Sequence, residues 1–276
     1  MSGLRTLDRP HDLHPGDHVV WAVDGADDLS VALGEFLVEG ALRGERMFYV
    51  CEPRDAGAVD GLSDLALWLA AGQLHVQDVG DVYQLAATGN PWSQVRKFAH
   101  EVQDAKHHGF SGIRVWADVT SLTVDSDVRQ RLLDYETAVG SLFRHRSATG
   151  VCAVDVDESS EPWTTLTARH PLRRTWPEAC EFVVEVDGGI VFLTGELDLG
   201  TLPELTSALA TAAHTTLGPL VIDLSRARFI DANGARAIAR FVLSLHTTGR
   251  RAVVRGVARG SVEVLAAFGL VAEDPT

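Results

Sequence analysis

Five short apolar runs, at residues 17–23, 47–51, 74–76, 113–117 and 151–156, alternate with stretches of helical periodicity, and this alternation limits the fold more than any other feature of the chain. Leu29, Leu33, Phe36, Leu37 and Gly40 recur at the spacing of one helix face. Trp92, Val95, Ala99, Val102 and Ala105 do the same behind Pro91, which suits the first turn of a helix. Leu132, Val139, Leu142 and Phe143 mark a third helix and residues 62–71 a shorter one. Gly44 and Gly72 stand where two of these helices should stop. Strands alternating with helices predict right-handed crossovers and a parallel sheet, an α/β fold.

The pattern changes after residue 177. Residues 182–186 and 190–193 read as two strands joined by the tight turn Asp187-Gly188-Gly189. A helix (202–213), a strand (220–224), a helix (234–245), a strand (252–255) and a helix (261–268) follow. The stretch 157–177, with Pro162, Pro171, Pro177 and two tryptophans, reads as irregular, so the expected domains are 1–176 and 178–276. With 276 residues, 46% of them hydrophobic, the chain can bury two cores of ordinary size.

Charge excludes some functions. The chain carries −14, and the eight arginines and twelve carboxylates after residue 177 leave −4 there, so both parts are acidic. Neither offers the basic footprint that a phosphate backbone requires, and direct nucleic-acid binding is not expected. No apolar run reaches the ~18 residues of a membrane span, and the polar first 17 residues have no apolar segment resembling a secretion signal. Cys51, Cys152 and Cys180 are odd in number and far apart, which fits reduced thiols in the cytoplasm.

The run Leu220-Val221-Ile222-Asp223-Leu224 through Phe229-Ile230-Asp231-Ala232-Asn233-Gly234 resembles the central signature of STAS domains, the anti-sigma factor antagonist type. Gly195-Glu196-Leu197-Asp198 before it and Phe268-Gly269-Leu270 after it fit the same family in order. The resemblance implies a mixed sheet with helices that binds an anti-sigma factor or a related kinase-fold protein. The contact would use Asp231, Ala232, Asn233, Gly234 and Arg236. In the family a serine two residues after the aspartate is phosphorylated; here Asn233 stands there and Ala232 precedes it, so no hydroxyl is available. Asp231 and Asn233 are also both good N-cap residues, and a capping role alone would account for them.

Gly16-Asp17-His18-Val19-Val20, Phe36-Leu37-Val38-Glu39-Gly40, Arg43-Gly44-Glu45-Arg46, Tyr135-Glu136 and His170-Pro171 together resemble the MEDS sensory domain. That resemblance implies a RecA/KaiC-like core, a parallel sheet flanked by helices, that senses a small organic molecule. A phosphate loop needs a lysine after a glycine, yet neither Lys97 nor Lys106 has one. The segment after the first strand, Val23-Asp24-Gly25-Ala26-Asp27-Asp28, is acidic, so no ATP hydrolysis is expected.

His18, Trp21, Cys51, Trp116, Glu136 and Asp155 are the candidate lining of a sensor pocket, most of them near strand ends where parallel sheets hold ligands. Glu136 lies among polar residues and also reads as a solvated helix position; both tryptophans also read as core packing. His11, His14 and His18 lack the spacing of a metal motif, and no metal, cofactor or catalytic residue is expected. The whole reads as a cytoplasmic signalling and transcription-regulatory protein, not an enzyme, with a homodimer as one arrangement. The alternatives are a nucleotide-dependent enzyme of RecA-like fold and a structural dimerisation or scaffold protein.

Overall fold

A computed structural model describes residues 5–83, 91–145, 147–156, 163–174 and 181–273. The expected boundary at 177–178 and Cys180 lie outside the described residues.

The first sheet is parallel throughout. Its strands are β1 (Arg5–Leu7), β2 (His18–Val23), β3 (Arg46–Cys51), β4 (Leu74–Asp78), β5 (Ile113–Asp118), β6 (Ala148–Asp155) and β7 (Leu172–Arg174), in the order β1-β7-β2-β6-β5-β3-β4. Helices α1 (Gly25–Leu42), α2 (Leu65–Ala70), α3 (Val79–Val82), α4 (Pro91–His107) and α5 (Ser126–His145) connect the strands, and α6 (Trp163–Thr167) precedes β7. Successive side chains of a strand point to opposite faces, so one sheet carries two cores. Val20, Val50, Val115 and Cys152 pack toward α4 and α5. Trp21, Tyr49, Trp116 and Val151 pack toward α1. Burial on both faces is what allows these strands to be almost wholly apolar.

One buried ion pair braces this layer. Arg114 and Glu45 are almost fully buried, and Arg114 Nε donates to Glu45 Oε2 at 2.7 Å. The guanidinium also donates to the carbonyls of Phe36 and Leu13 and lies over the Phe36 ring, so most of its hydrogens have acceptors.

The second sheet is mixed. Its strands are β8 (Phe182–Asp187), β9 (Ile190–Leu197), β10 (Leu220–Ile230), β11 (Ala252–Arg255) and the two-residue β12 (Ala272–Glu273), in the order β12-β11-β10-β9-β8. Only β8 and β9 run antiparallel, as a hairpin; the other pairs are parallel. Helices α7 (Leu202–Thr215), α8 (Ala232–Thr247) and α9 (Val262–Ala266) complete the unit. Its core joins Val191, Leu193 and Ile222 of the sheet to Leu209 of α7 and Ile238 of α8.

The stretch read as irregular contains β7, which inserts between β1 and β2, and α6. The following turn joins the two halves. Ala168 belongs to the second core, and its carbonyl accepts from Val184 N at 2.7 Å. Further hydrogen bonds cross the same junction. Trp92 Nε1 donates to the Thr215 carbonyl, Arg169 to Ser207 Oγ, and Thr211 Oγ1 to Asp134. Arg144 reaches Glu185 Oε1 at 3.0 Å and the Val186 carbonyl at 2.8 Å.

Candidate functional site

Four buried side chains from four separate elements meet beneath α5. His18 opens β2, Glu136 sits mid-way along α5, Cys152 lies in β6, and His170 follows α6. Their ligating atoms all lie within 4.8 Å of one another. His18 Nε2 stands 3.2 Å from Glu136 Oε2, 3.4 Å from Cys152 Sγ and 3.2 Å from His170 Nε2. His170 Nε2 stands 3.3 Å from Glu136 Oε2, and the Cys152 thiol faces Glu136 Oε1 at 3.3 Å.

The surroundings decide the charge state. Burial, reinforced by neighbouring His170, pushes the His18 pKa down to about 4 against the opposing pull of Glu136, so the imidazole is neutral near pH 7. Burial alone would raise the Glu136 pKa, but the two histidine rings facing its carboxylate outweigh it and keep the carboxylate ionised. Burial and the Glu136 charge push the Cys152 thiol well up. His170 Nδ1 is 2.9 Å from the Leu166 carbonyl and donates to it, which in the neutral ring leaves the Nε2 lone pair facing the cluster. The His18 ring stacks on Phe143, with centroids 4.6 Å apart. Gly150 permits this, since a Cβ there would fall 2.4 Å from Phe143 Cζ. A small hollow of about 90 Å³, bounded by His18, Glu136, Arg144, Arg169 and Glu185, runs from the cluster to the junction between the halves.

The six residues expected to line one sensor pocket do not share one. Only His18 and Glu136 come together, and Glu136 is 1% exposed instead of solvated, because the buried side of α5 is wide enough to include it beside Tyr135 and Val139. Trp21 and Trp116 face the opposite side of the sheet, where they pack on each other and Trp116 packs on Phe36. Arg174, held by Asp28 and the Ala22 carbonyl, covers the Trp21 ring. Cys51 is buried in that same core. Asp155 belongs to a separate hollow of about 270 Å³ at the carboxyl ends of β2, β5 and β6, with Arg54, Asp55 and Asp118. Its three carboxylates disfavour a phosphate there, and Asp118 is buried enough for its pKa to rise despite hydrogen bonds from Thr120.

Cys152 and His170 were absent from the expected pocket, and no metal ligand was anticipated. The four potential ligands stand 118, 16 and 18 residues apart in sequence, so no local spacing motif could reveal them. His170 was visible only through the His170-Pro171 pair of the family resemblance.

At the other expected site, Asp231 is the N-cap of α8. Its Oδ1 accepts from the backbone N–H groups of Asn233 at 2.7 Å and Gly234 at 2.8 Å. The helix therefore begins at Ala232, two residues earlier than expected, and Asn233 is inside it, not its cap. Asn233 Nδ2 donates to Asp231 Oδ2 at 3.0 Å, and Asn233 Oδ1 accepts from Arg236 at 2.7 Å. Gly234 is required where α8 crosses β9, since a Cβ would sit 2.2 Å from the Leu197 carbonyl oxygen. Ala232 and Arg236 are exposed. Asn233 and Arg236 continue into a largely apolar groove of about 440 Å³ between α7 and α8, which includes Leu209, Ala213, Ala237 and Phe241. No described helix is long and apolar enough to cross a membrane.

Residues 17–171 match the family model described as MEDS, MEthanogen/methylotroph, DcmR Sensory domain. Residues 182–272 match the one described as Mlab, STAS domain. No curated protein matches the chain.

Proposed function

We propose, because the chain belongs to the MEDS sensory-domain family and carries a STAS domain behind it, that it is a cytoplasmic signalling regulator without catalytic activity. The first half responds to a small molecule. The second binds an anti-sigma factor or a related kinase-fold protein through the start of α8 and changes transcription by competing for that protein.

The observation that carries this reading is the Asp231–Asn233–Arg236 chain of hydrogen bonds. It holds the exposed first turn of α8 in one arrangement with a neutral amide at position 233, beside a groove able to take a partner's apolar side chains. Phosphorylation cannot toggle that position. Control then has to arrive from the first half, and the hydrogen bonds linking α5 to β8 and α7 give it a physical route.

The full chain used as bait in cytosol of its native host should recover a small ATPase-fold anti-sigma protein. Arg236→Glu, which reverses an exposed charge beside Asn233, should abolish the recovery while the far-UV circular dichroism stays unchanged. Recovery of no such protein, or equal recovery by the variant, would refute the reading. A purified chain that hydrolysed ATP above background would refute the non-catalytic part.

A further inference from the structure

The geometry points to His18, Glu136, Cys152 and His170 as a mononuclear site for a thiophilic divalent transition metal, zinc foremost, that fastens α5 and the His170 turn to β2 and β6.

The distances within the cluster fit such an ion. Ligands at the usual zinc separations, about 2.0–2.3 Å, occupy a tetrahedron with edges of about 3.3–3.6 Å. The edges from His18 Nε2 to Glu136 Oε2, His170 Nε2 and Cys152 Sγ measure 3.2, 3.2 and 3.4 Å. The edge from His170 Nε2 to Glu136 Oε2 measures 3.3 Å. Four of the six edges thus lie within about 0.2 Å of a closed four-coordinate zinc site.

The cluster also holds unmet bonding capacity. Among the described residues no donor reaches Glu136 Oε2 in hydrogen-bonding geometry, although that atom is buried and charged. The two Nε2 atoms face each other at hydrogen-bond distance, and the Leu166 carbonyl takes the Nδ1 proton of His170, so a ring carrying one proton has a bare Nε2. A lone pair of His170, one of the carboxylate and one of the thiol therefore converge with a single His18 nitrogen. A cation satisfies all of them at once, whereas one shared proton does not. A backbone acceptor on the far ring nitrogen is also the usual companion of a metal-bound histidine.

Charge favours the same ion. A buried carboxylate without a counter-ion is costly. The arginines whose charge reaches this cluster are engaged elsewhere, Arg144 with Glu185 and the Val186 carbonyl, and Arg169 with Ser207 and the Thr165 carbonyl. Two neutral imidazoles, one carboxylate and one thiolate around a divalent ion give a net charge of zero, the state that burial favours. Binding displaces the Cys152 proton to solvent, with no change of oxidation state. The hollow from the cluster to the junction gives the ion an approach.

The metal site needs neither the small molecule nor the partner of the proposed function, and metal content is read without either. The full chain, freed of metal with a chelator and titrated with Co²⁺ alone, should take up one equivalent. It should develop the strong visible bands of tetrahedral Co²⁺ and a thiolate-to-metal charge-transfer band, both removed by one equivalent of Zn²⁺. Cys152→Ser should lose the charge-transfer band, Cys51→Ser should keep it, and Glu136→Gln should weaken Zn²⁺ binding by more than about 100-fold, beyond the 10–100-fold typical of changes around a ligand. If the folded wild-type chain leaves Co²⁺ with its weak aqueous spectrum, the site is a hydrogen-bonded cluster and the proposal fails. It fails equally if Cys152→Ser keeps the charge-transfer band. The wild-type titration decides the question even if a variant does not fold.

Discussion

At the scale of single residues, the buried polar groups are where small changes should matter most. Glu45 gives Arg114 its only buried carboxylate contact among the described residues, and both side chains are withdrawn from water. Glu45→Ala leaves a guanidinium inside the first domain with carbonyl partners alone. Removing one member of such a pair costs about 3–5 kcal/mol, and urea unfolding of the full chain should register a loss of that size. Asp223 is buried too, but its carboxylate is held by a hydroxyl, a backbone N–H and the half-exposed Arg255. Burial works to raise its pKa, but hydrogen bonds from Ser225 and Arg255 outweigh that and hold it below the ordinary carboxylate value. A carboxyl with a depressed folded-state pKa contributes stability in full above its unfolded pKa, about 3.9, and loses it as pH falls through the folded value. Wild-type stability should therefore drop faster than that of Asp223→Asn below about pH 4, with the two curves running parallel above pH 6, as measured by thermal unfolding at a series of pH values.

At the scale of elements, the start of α8 depends on a single side chain. Asp231 is the only N-cap among the second domain's described helices whose side chain accepts from the helix's own N–H groups. Asp231→Ala should lower stability by about 0.5–2 kcal/mol and speed amide exchange at Asn233 and Gly234, which hydrogen-exchange mass spectrometry can read. Elements were legible in the sequence to the degree that their own periodicity specified them. The core strands β2, β3, β5 and β6 and the helices α1, α4 and α5 announced themselves because continuous apolar runs and 3.6-residue faces are local signals. Strands β1, β7 and β12 did not, since three or two residues carry no period and their strand character comes from pairing with distant partners. The candidate metal site was hidden for a related reason. Glu136 sits in a helix rich in charged residues, and only the packing of α5 on the sheet separates its buried side from its solvated one. The start of α8 was readable because its whole apparatus, Asp231 through Arg236, is contiguous.

At the scale of the whole molecule, the two halves share structure instead of merely following one another. Ala168 is built into the second core while its neighbour His170 belongs to the cluster of the first half. Helix α5 carries Glu136 to that cluster and Arg144 to β8. Coupling of this kind requires a ligand that favours one arrangement of the junction over another, and α5 is the element both ends touch. Glu185 is 6% exposed and receives both Arg144 and Arg226. A double-mutant cycle of Arg144→Ala with Glu185→Ala on the full chain should return a coupling energy of about 0.5–3 kcal/mol in urea unfolding. A value near zero would mean that the halves are adjacent but energetically separate.

The position of β7 also imposes an order of events. Among the described residues strand β1 pairs only with β7, so Arg5 finds Leu172 as its neighbour across nearly the whole length of the first domain. His18 likewise finds Gly150. On the ribosome, at roughly 5–20 residues per second, the first strand emerges many seconds before the segment that completes its edge. Through that interval its backbone donors and acceptors have no strand to pair with. The early chain is a client waiting for its own later residues, and its window of exposure to aggregation is set by translation speed as much as by stability.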